Sequence, residues 1–181
     1  MHFSNLLKQS KLKNGTKLVF AALALIAFST SSFAQATATA TATATIVTPI
    51  SIAEVVNMNF GNVAVQTATG GTVVMTPAGV RSVTGGCALP VVNGTVTAAS
   101  FTVTGQGTYT YAITLPAAAT TLTSGANTMT ATTFTSTPSA TGALTAGTQT
   151  LNVGATLNVA AAQAAGIYVS GTPFSVTVNY N

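Results

Sequence analysis

Residues 172–181 read TPFSVTVNYN. Side chains of an extended strand alternate with period two, so Phe174, Val176, Val178 and Tyr180 fall on one face and Ser175, Thr177 and Asn179 on the other. This is a strand with one apolar face. No strand follows it in the sequence, so its free side is expected to be covered by an earlier segment or by another molecule.

Working outward, the bulk composition bounds the class. Of 181 residues, 48% are hydrophobic and the mean hydropathy is +0.55, which is enough apolar surface for a core and excludes a charged disordered chain. The formal charge of +4 is concentrated at one end. Lys8, Lys11, Lys13 and Lys17 precede the apolar run LVFAALALIAF at 18–28, which is the layout of a secretory signal peptide and is too short to span a bilayer. Small-x-small cleavage points follow Ala34 and Ala36, and residues 1–34 are taken as the signal. The remaining chain carries one cation, Arg81, and one anion, Glu54, with no Lys, Asp or His. The basic character therefore belongs to the signal. A nucleic-acid partner, which needs several phosphate-neutralising side chains, is not expected, and no membrane span remains after signal removal.

Residues 36–45 read ATATATATAT and pass into IVTPISI at 46–52. β-Branched Thr at every second position favours an extended conformation. Ala38, Ala40, Ala42 and Ala44 share a face with Ile46, Ile50 and Ile52. Extended throughout, residues 37–52 would span roughly 50 Å, too long for one strand of a small domain. Residues 35–45 are therefore read as a protruding arm, and 46–52 as the first strand of a domain occupying 46–181.

Further strands are expected at 57–60, 72–76, 80–83, 100–104, 108–115, 128–136, 149–153, 156–159, 167–169 and 174–180. Gly-rich breaks separate them. Gly105-Gln106-Gly107 is read as the turn of a hairpin joining 100–104 to 108–115. Only 159–165 (VAAAQAA) has helical potential, sufficient for a single turn. Short strands at this spacing predict an all-β fold, a single antiparallel β-sandwich of immunoglobulin-like or Greek-key type with an extended N-terminal strand.

The chemistry-bearing residues are few. Glu54 has no second carboxylate for paired acid-base work, and Cys87 has no His to activate it. Cys87 and Glu54 alone make no metal site, so neither metal nor cofactor is expected. Cys87, the one cysteine, reads as a small buried apolar residue or as a partner in an intermolecular disulfide. Glu54 and Arg81 either pair across strands or decorate the surface. Asn93-Gly94-Thr95 matches a glycosylation sequon and equally a turn. Thr-x-Thr triplets begin at 95, 102, 108, 121, 128 and 148, without the fixed period that a Thr-faced solenoid needs. The chain is not expected to be an enzyme.

Taken in order, residues 38–52, Met58-Asn59-Phe60-Gly61, 77–81, 99–105, 111–116 and 154–180 resemble a family of secreted bacterial proteins described as domain of unknown function 4402. The layout is more remotely similar to spore-coat-U-type pilin domains, the subunits of archaic chaperone-usher pili. There, an early strand is followed by a segment like Asn59-Phe60-Gly61, and the domain closes on an alternating strand with a penultimate Tyr. Thr48-Pro49-Ile50 stands where that pattern has an early cysteine. The resemblance implies a pilin-like subunit of a surface fibre, exported through the periplasm, with self-association or other fibre subunits as partners and a periplasmic chaperone in transit. Ala38, Ala40, Ala42, Ala44, Ile46, Ile50 and Ile52 would then be the donated strand, and Phe174, Val176, Val178 and Tyr180 the partner face. The alternative expectation is a self-contained monomeric surface, matrix or carbohydrate-binding protein whose first strand completes its own sheet.

Overall fold

Thr148–Val159 (TQTLNVGATLNV) forms one continuous strand, and its side chains at Leu151, Val153, Ala155, Leu157 and Val159 are all buried. The alternation puts five apolar groups on one face and Thr, Asn and Gly on the other. Two strands, 149–153 and 156–159, were expected here. They are instead one, and Gly154 is a crossing point within it.

The computed structural model describes residues 35–181, and among these no helix occurs. In chain order the strands are β1 (Ser51–Val56), β2 (Ala64–Val65), β3 (Gly71–Met75), β4 (Arg81–Gly85), β5 (Cys87–Ala88), β6 (Ala99–Thr104) and β7 (Thr110–Thr114). They continue with β8 (Thr120–Ser124), β9 (Asn127–Thr137), β10 (Thr141–Ala143), β11 (Thr148–Val159), β12 (Val169–Ser170) and β13 (Thr177–Tyr180). Every strand pairing is antiparallel. The principal sheet runs β1-β6-β11-β9-β8-β12, with the β3–β4 hairpin joined through β11. A second sheet runs β10-β7-β13, and β2 pairs with β5.

β11 organises this arrangement because each of its edges is used along its length. On one side it pairs with β9. On the other, Thr148–Val153 pair with β6 and Thr156–Val159 pair with β3. Gly154 lies between the two partners, where a Cβ would stand 2.1 Å from the Met75 carbonyl oxygen. Opposite this point β9 carries a bulge: Thr133 and Phe134 face the single residue Ala155, and Thr133 has φ 50°. A bulge bends its strand and increases the local twist. The principal sheet is accordingly curled, and its two end strands, β1 and β12, wall one common cleft.

The core has two parts. One gathers Val73, Met75, Ala131, Ala155, Leu157 and Val159 with Phe60 and Cys87. The other draws Ala99, Val103, Leu151 and Val153 from the principal sheet, and Tyr111 and Val178 from the second, around Leu144. Phe134 packs against both. Tyr111 is fully buried, and its hydroxyl donates to Gln149 Oε1 at 2.7 Å, so the one polar atom of this ring is satisfied.

The outer face of the principal sheet is hydroxylic. Thr121, Thr130, Asn158, Thr72 and Thr84 stand in one cross-strand row over five strands. Asn158 Nδ2 donates to Thr132 Oγ1 at 2.9 Å, and Thr72 and Thr84 share a hydrogen bond of 2.7 Å. The row includes members of two of the Thr-x-Thr triplets, which are aperiodic in sequence because their alignment comes from pairing register.

Other expectations differ from the structure. β6 and β7 are not a hairpin: they lie in different sheets, and Gly105-Gln106-Gly107 carries the chain across. Gly147 stitches this crossing to the one from β10 to β11, accepting from Gly105 N at 2.9 Å and donating to Gly107 O at 2.8 Å. A Gly-x-Gly segment satisfies a corner as readily as a hairpin, and alternation does not say which sheet a strand joins. The first strand begins at Ser51 rather than 46, and residues 57–60 make only the isolated Asn59–Thr97 bridge. β8 went unseen because residues 117–120 (AAAT) obscure its start, and β11 claims Val159 in place of a helical turn.

Gly154→Ala, with backbone on the far side of the new methyl and nothing flexible to yield, is expected to lower stability by about 2 kcal/mol. A urea midpoint equal to that of the unaltered chain would contradict the account.

Candidate functional site

Two features stand out, a seam joining the beginning of the domain to its end and a cleft at the far end of β1. The seam is made by Tyr180. Its hydroxyl accepts from Gln106 N and donates to the Thr48 carbonyl at 2.8 Å, while Thr48 N donates to Gln106 Oε1 at 3.1 Å. The Tyr109 ring meets Tyr180 edge-on at 5.5 Å. Gly105 leaves room for the phenol, since a Cβ there would lie 2.2 Å from the Tyr180 oxygen. Alternation decides which way the last strand faces: Phe174, Val176 and Tyr180 are half-buried and Val178 is buried, while Ser175, Thr177 and Asn179 are exposed. Only Thr177–Tyr180 are strand, paired to β7, although residues 174–180 were expected to be. Phe174 packs edge-on against Phe101 at 6.4 Å and tilted against Phe134 at 4.9 Å.

The candidate donor residues divide. Ile50 and Ile52 pack into the same core cluster as Phe174, Val176, Val178 and Tyr180 of their own chain, and β1 pairs with β6. Ile46, four residues earlier, is 93% exposed. Ala38, Ala40, Ala42 and Ala44 are exposed and belong to no strand. Thus the apolar face that alternation draws as continuous from Ala38 to Ile52 is internal at its end and solvent-facing at its start. The expected signal peptide lies outside the described residues.

The cleft has a volume of about 1030 Å³. Phe101, Leu122, Met129 and Leu157 are among its lining residues, and the exposed Val56, Ile167 and Val169 stand at its rim. Tyr168 braces one wall, its hydroxyl accepting from Gln163 Nε2 and donating to the Ala164 carbonyl, both at 2.8 Å. Sequence reading missed this cleft, because β8 and the curl that makes it were not visible. No local signal announces it: residues 167–169 read only as a strand, and the exposure of Ile167 and Val169 is set by the fold.

The remaining polar groups have structural tasks. The Arg81 guanidinium donates to the carbonyls of Phe60 and Asn62 and to Asn93 Oδ1, tying two loops together rather than meeting Glu54. The sequon residue Asn93 is thereby engaged through its side-chain oxygen. Burial pushes the Cys87 thiol and the Tyr111 phenol above their ordinary values, so both stay protonated at neutral pH and neither is an activated nucleophile. Among the described residues no group of three His, Cys, Asp or Glu comes together to hold a metal, and no helix is long and apolar enough to cross a membrane. The arrangement presents strand edges and apolar surface.

The family model described as "Domain of unknown function (DUF4402)" matches residues 50–180, and the chain belongs to that family. The match begins one residue before β1 and ends on the last residue of β13, so residues 35–49 lie outside it. Neither the curated proteins nor the solved structures contain a match to this chain.

Tyr180→Phe removes the hydroxyl that bridges Gln106 and Thr48 and is expected to cost about 1–2 kcal/mol. Limited proteolysis of the variant should cut within residues 45–50 sooner than in the unaltered chain, with later cuts unchanged. Equal cleavage rates there would show that the seam does not hold this segment.

Proposed function

We propose that this chain is a secreted, non-catalytic structural subunit of a bacterial surface fibre or pilus, assembled by β-strand donation. The arm, residues 35–45, together with Ile46, of one copy lies along an exposed sheet edge of the next; main-chain hydrogen bonds give affinity, and alternate side chains meet the acceptor. The observation that carries this reading is the division of the N-terminal segment. From Ile50 onward it is committed to its own core and sheet, while the preceding Ala-Thr repeat is exposed, outside any strand and outside the family domain. Such a repeat has period-two polarity, no charge and lies in no strand. Its Ala methyls bury little area, so affinity must come chiefly from backbone pairing and from Ile46.

The sandwich of immunoglobulin-like, pilin-type topology is part of this proposal. Its support is the core cluster that draws side chains from both sheets. Export would follow from the signal sequence, and a periplasmic chaperone would shield exposed edges in transit, since an unpaired edge with few charges invites aggregation. The pairing of β1 with β6 within one chain favours a second reading, a self-contained monomeric surface, matrix or carbohydrate-binding protein.

Deleting residues 35–45 separates the two. Strand donation predicts that the truncated chain folds with an unchanged urea midpoint, because β1 begins at Ser51, but no longer gives high-mass species on an unboiled gel. Undiminished assembly, or a chain that is monomeric with its arm intact, would overturn strand donation.

A further inference from the structure

We infer that the acceptor for the donated arm is the cleft between β1 and β12, and that its occupant is the arm of a second copy, so that copies join head to tail. This rests on the strand-donation reading and names the site that reading leaves open.

β1 and β12 are the two ends of the principal sheet, and each uses one edge only: β1 pairs with β6, and β12 with β8. Both contribute residues to the cleft, Glu54 and Val56 from β1 and Val169 and Ser170 from β12. A strand edge with unpaired N–H and C=O groups is a template for another extended chain. Edges of this kind are usually blunted with Lys, Pro or inward charges. Here β12 has none of these, and β1 has only Glu54. The rim is instead apolar, with Ile167 86% exposed, Val169 61% and Val56 37%.

The occupant follows from the lining. Two strand edges call for an extended polypeptide rather than a compact ligand. Glu54 is the one charge among the lining residues, which disfavours an acidic segment and gives a basic one a single partner. The arm meets these terms: it is uncharged, alternates small apolar and hydroxyl side chains, lies in no strand, and over residues 35–45 extends roughly 35 Å. Its Ala face suits a slot bounded by backbone on both sides, and Ile46 is an exposed anchor beside it.

Placement on β1 then sets the geometry of assembly. Thr48 is pinned by Tyr180 and Gln106 just before Ser51, whereas the cleft takes Glu54 and Val56 at the strand's other end. The root of the donor and the acceptor therefore sit at opposite ends of one strand. A contact between unlike surfaces is heterologous, and where its rotation does not close it generates an open filament.

The test uses the chain from residue 35 in a Cys87→Ala background, which removes the buried native thiol. Protein with Ala42→Cys is mixed with protein carrying Val169→Cys, at the cleft, or Asn179→Cys, on β13, and oxidised. A mixed disulfide dimer with the cleft partner and loss of that product with the β13 partner is expected. Because Ile167 and Val169 are exposed, Ile167→Glu with Val169→Lys should keep the urea midpoint and abolish the high-mass species. Cross-linking through residue 179 instead, with assembly still dependent on residues 35–45, would overturn the cleft as acceptor and leave strand donation standing. Assembly indifferent to the arm would overturn both. Arm-dependent assembly that survives the charged pair would also overturn the cleft.

Discussion

The structure depends on one strand serving two partners along a single edge. β11 holds β6 with its first half and β3 with its second, and Gly154 is where those partners meet over it. Everything else is arranged about that junction. The bulge at Thr133 and Phe134 bends β9 opposite it, the two core clusters fall on either side, and Phe134 reaches both. The curl that results leaves the end strands of the principal sheet facing a common cleft rather than each other. A chain without disulfides has only this packing and pairing to hold it.

Charge is almost absent from the domain, and the consequences differ by location. In the interior it removes any need to compensate buried ions: Tyr111 and Gln149 satisfy one another, and among the described residues no buried side-chain polar atom lacks a partner. On the outer face, solvation falls to hydroxyls and amides, which the cross-strand rows of Thr, Ser and Asn provide. At the edges the same absence has the opposite effect, since the charges that discourage edge-to-edge association are missing.

Much of this was legible in the sequence, and the limit has a physical cause. Period-two alternation is local, so it put Phe174, Val176, Val178 and Tyr180 on one face of the last segment, although the strand proper starts at Thr177. Pairing is non-local. Nothing in Gly105-Gln106-Gly107 distinguishes a hairpin from a corner between sheets, and nothing in the Thr-x-Thr triplets announces that register will align Thr72, Thr84, Thr121 and Thr130 into one row. The role of Gly154 is non-local in the same way: its missing side chain answers to the backbone of Met75 to Pro77, far away in sequence. The Tyr180 to Thr48 seam and the cleft, each built from segments over a hundred residues apart, were beyond local reading altogether.

The N-terminal segment changes role near Pro49, internal from Ile50 onward and external before it. Amide hydrogen exchange on the chain from residue 35, taken first as monomer and then as assembled material, measures this directly. The account predicts that the β1 amides bonded to β6 are protected in both states, and that amides of residues 37–45 exchange freely in the monomer and become protected on assembly. Fast exchange of the arm in assembled material, or an unprotected β1 in the monomer, would contradict it.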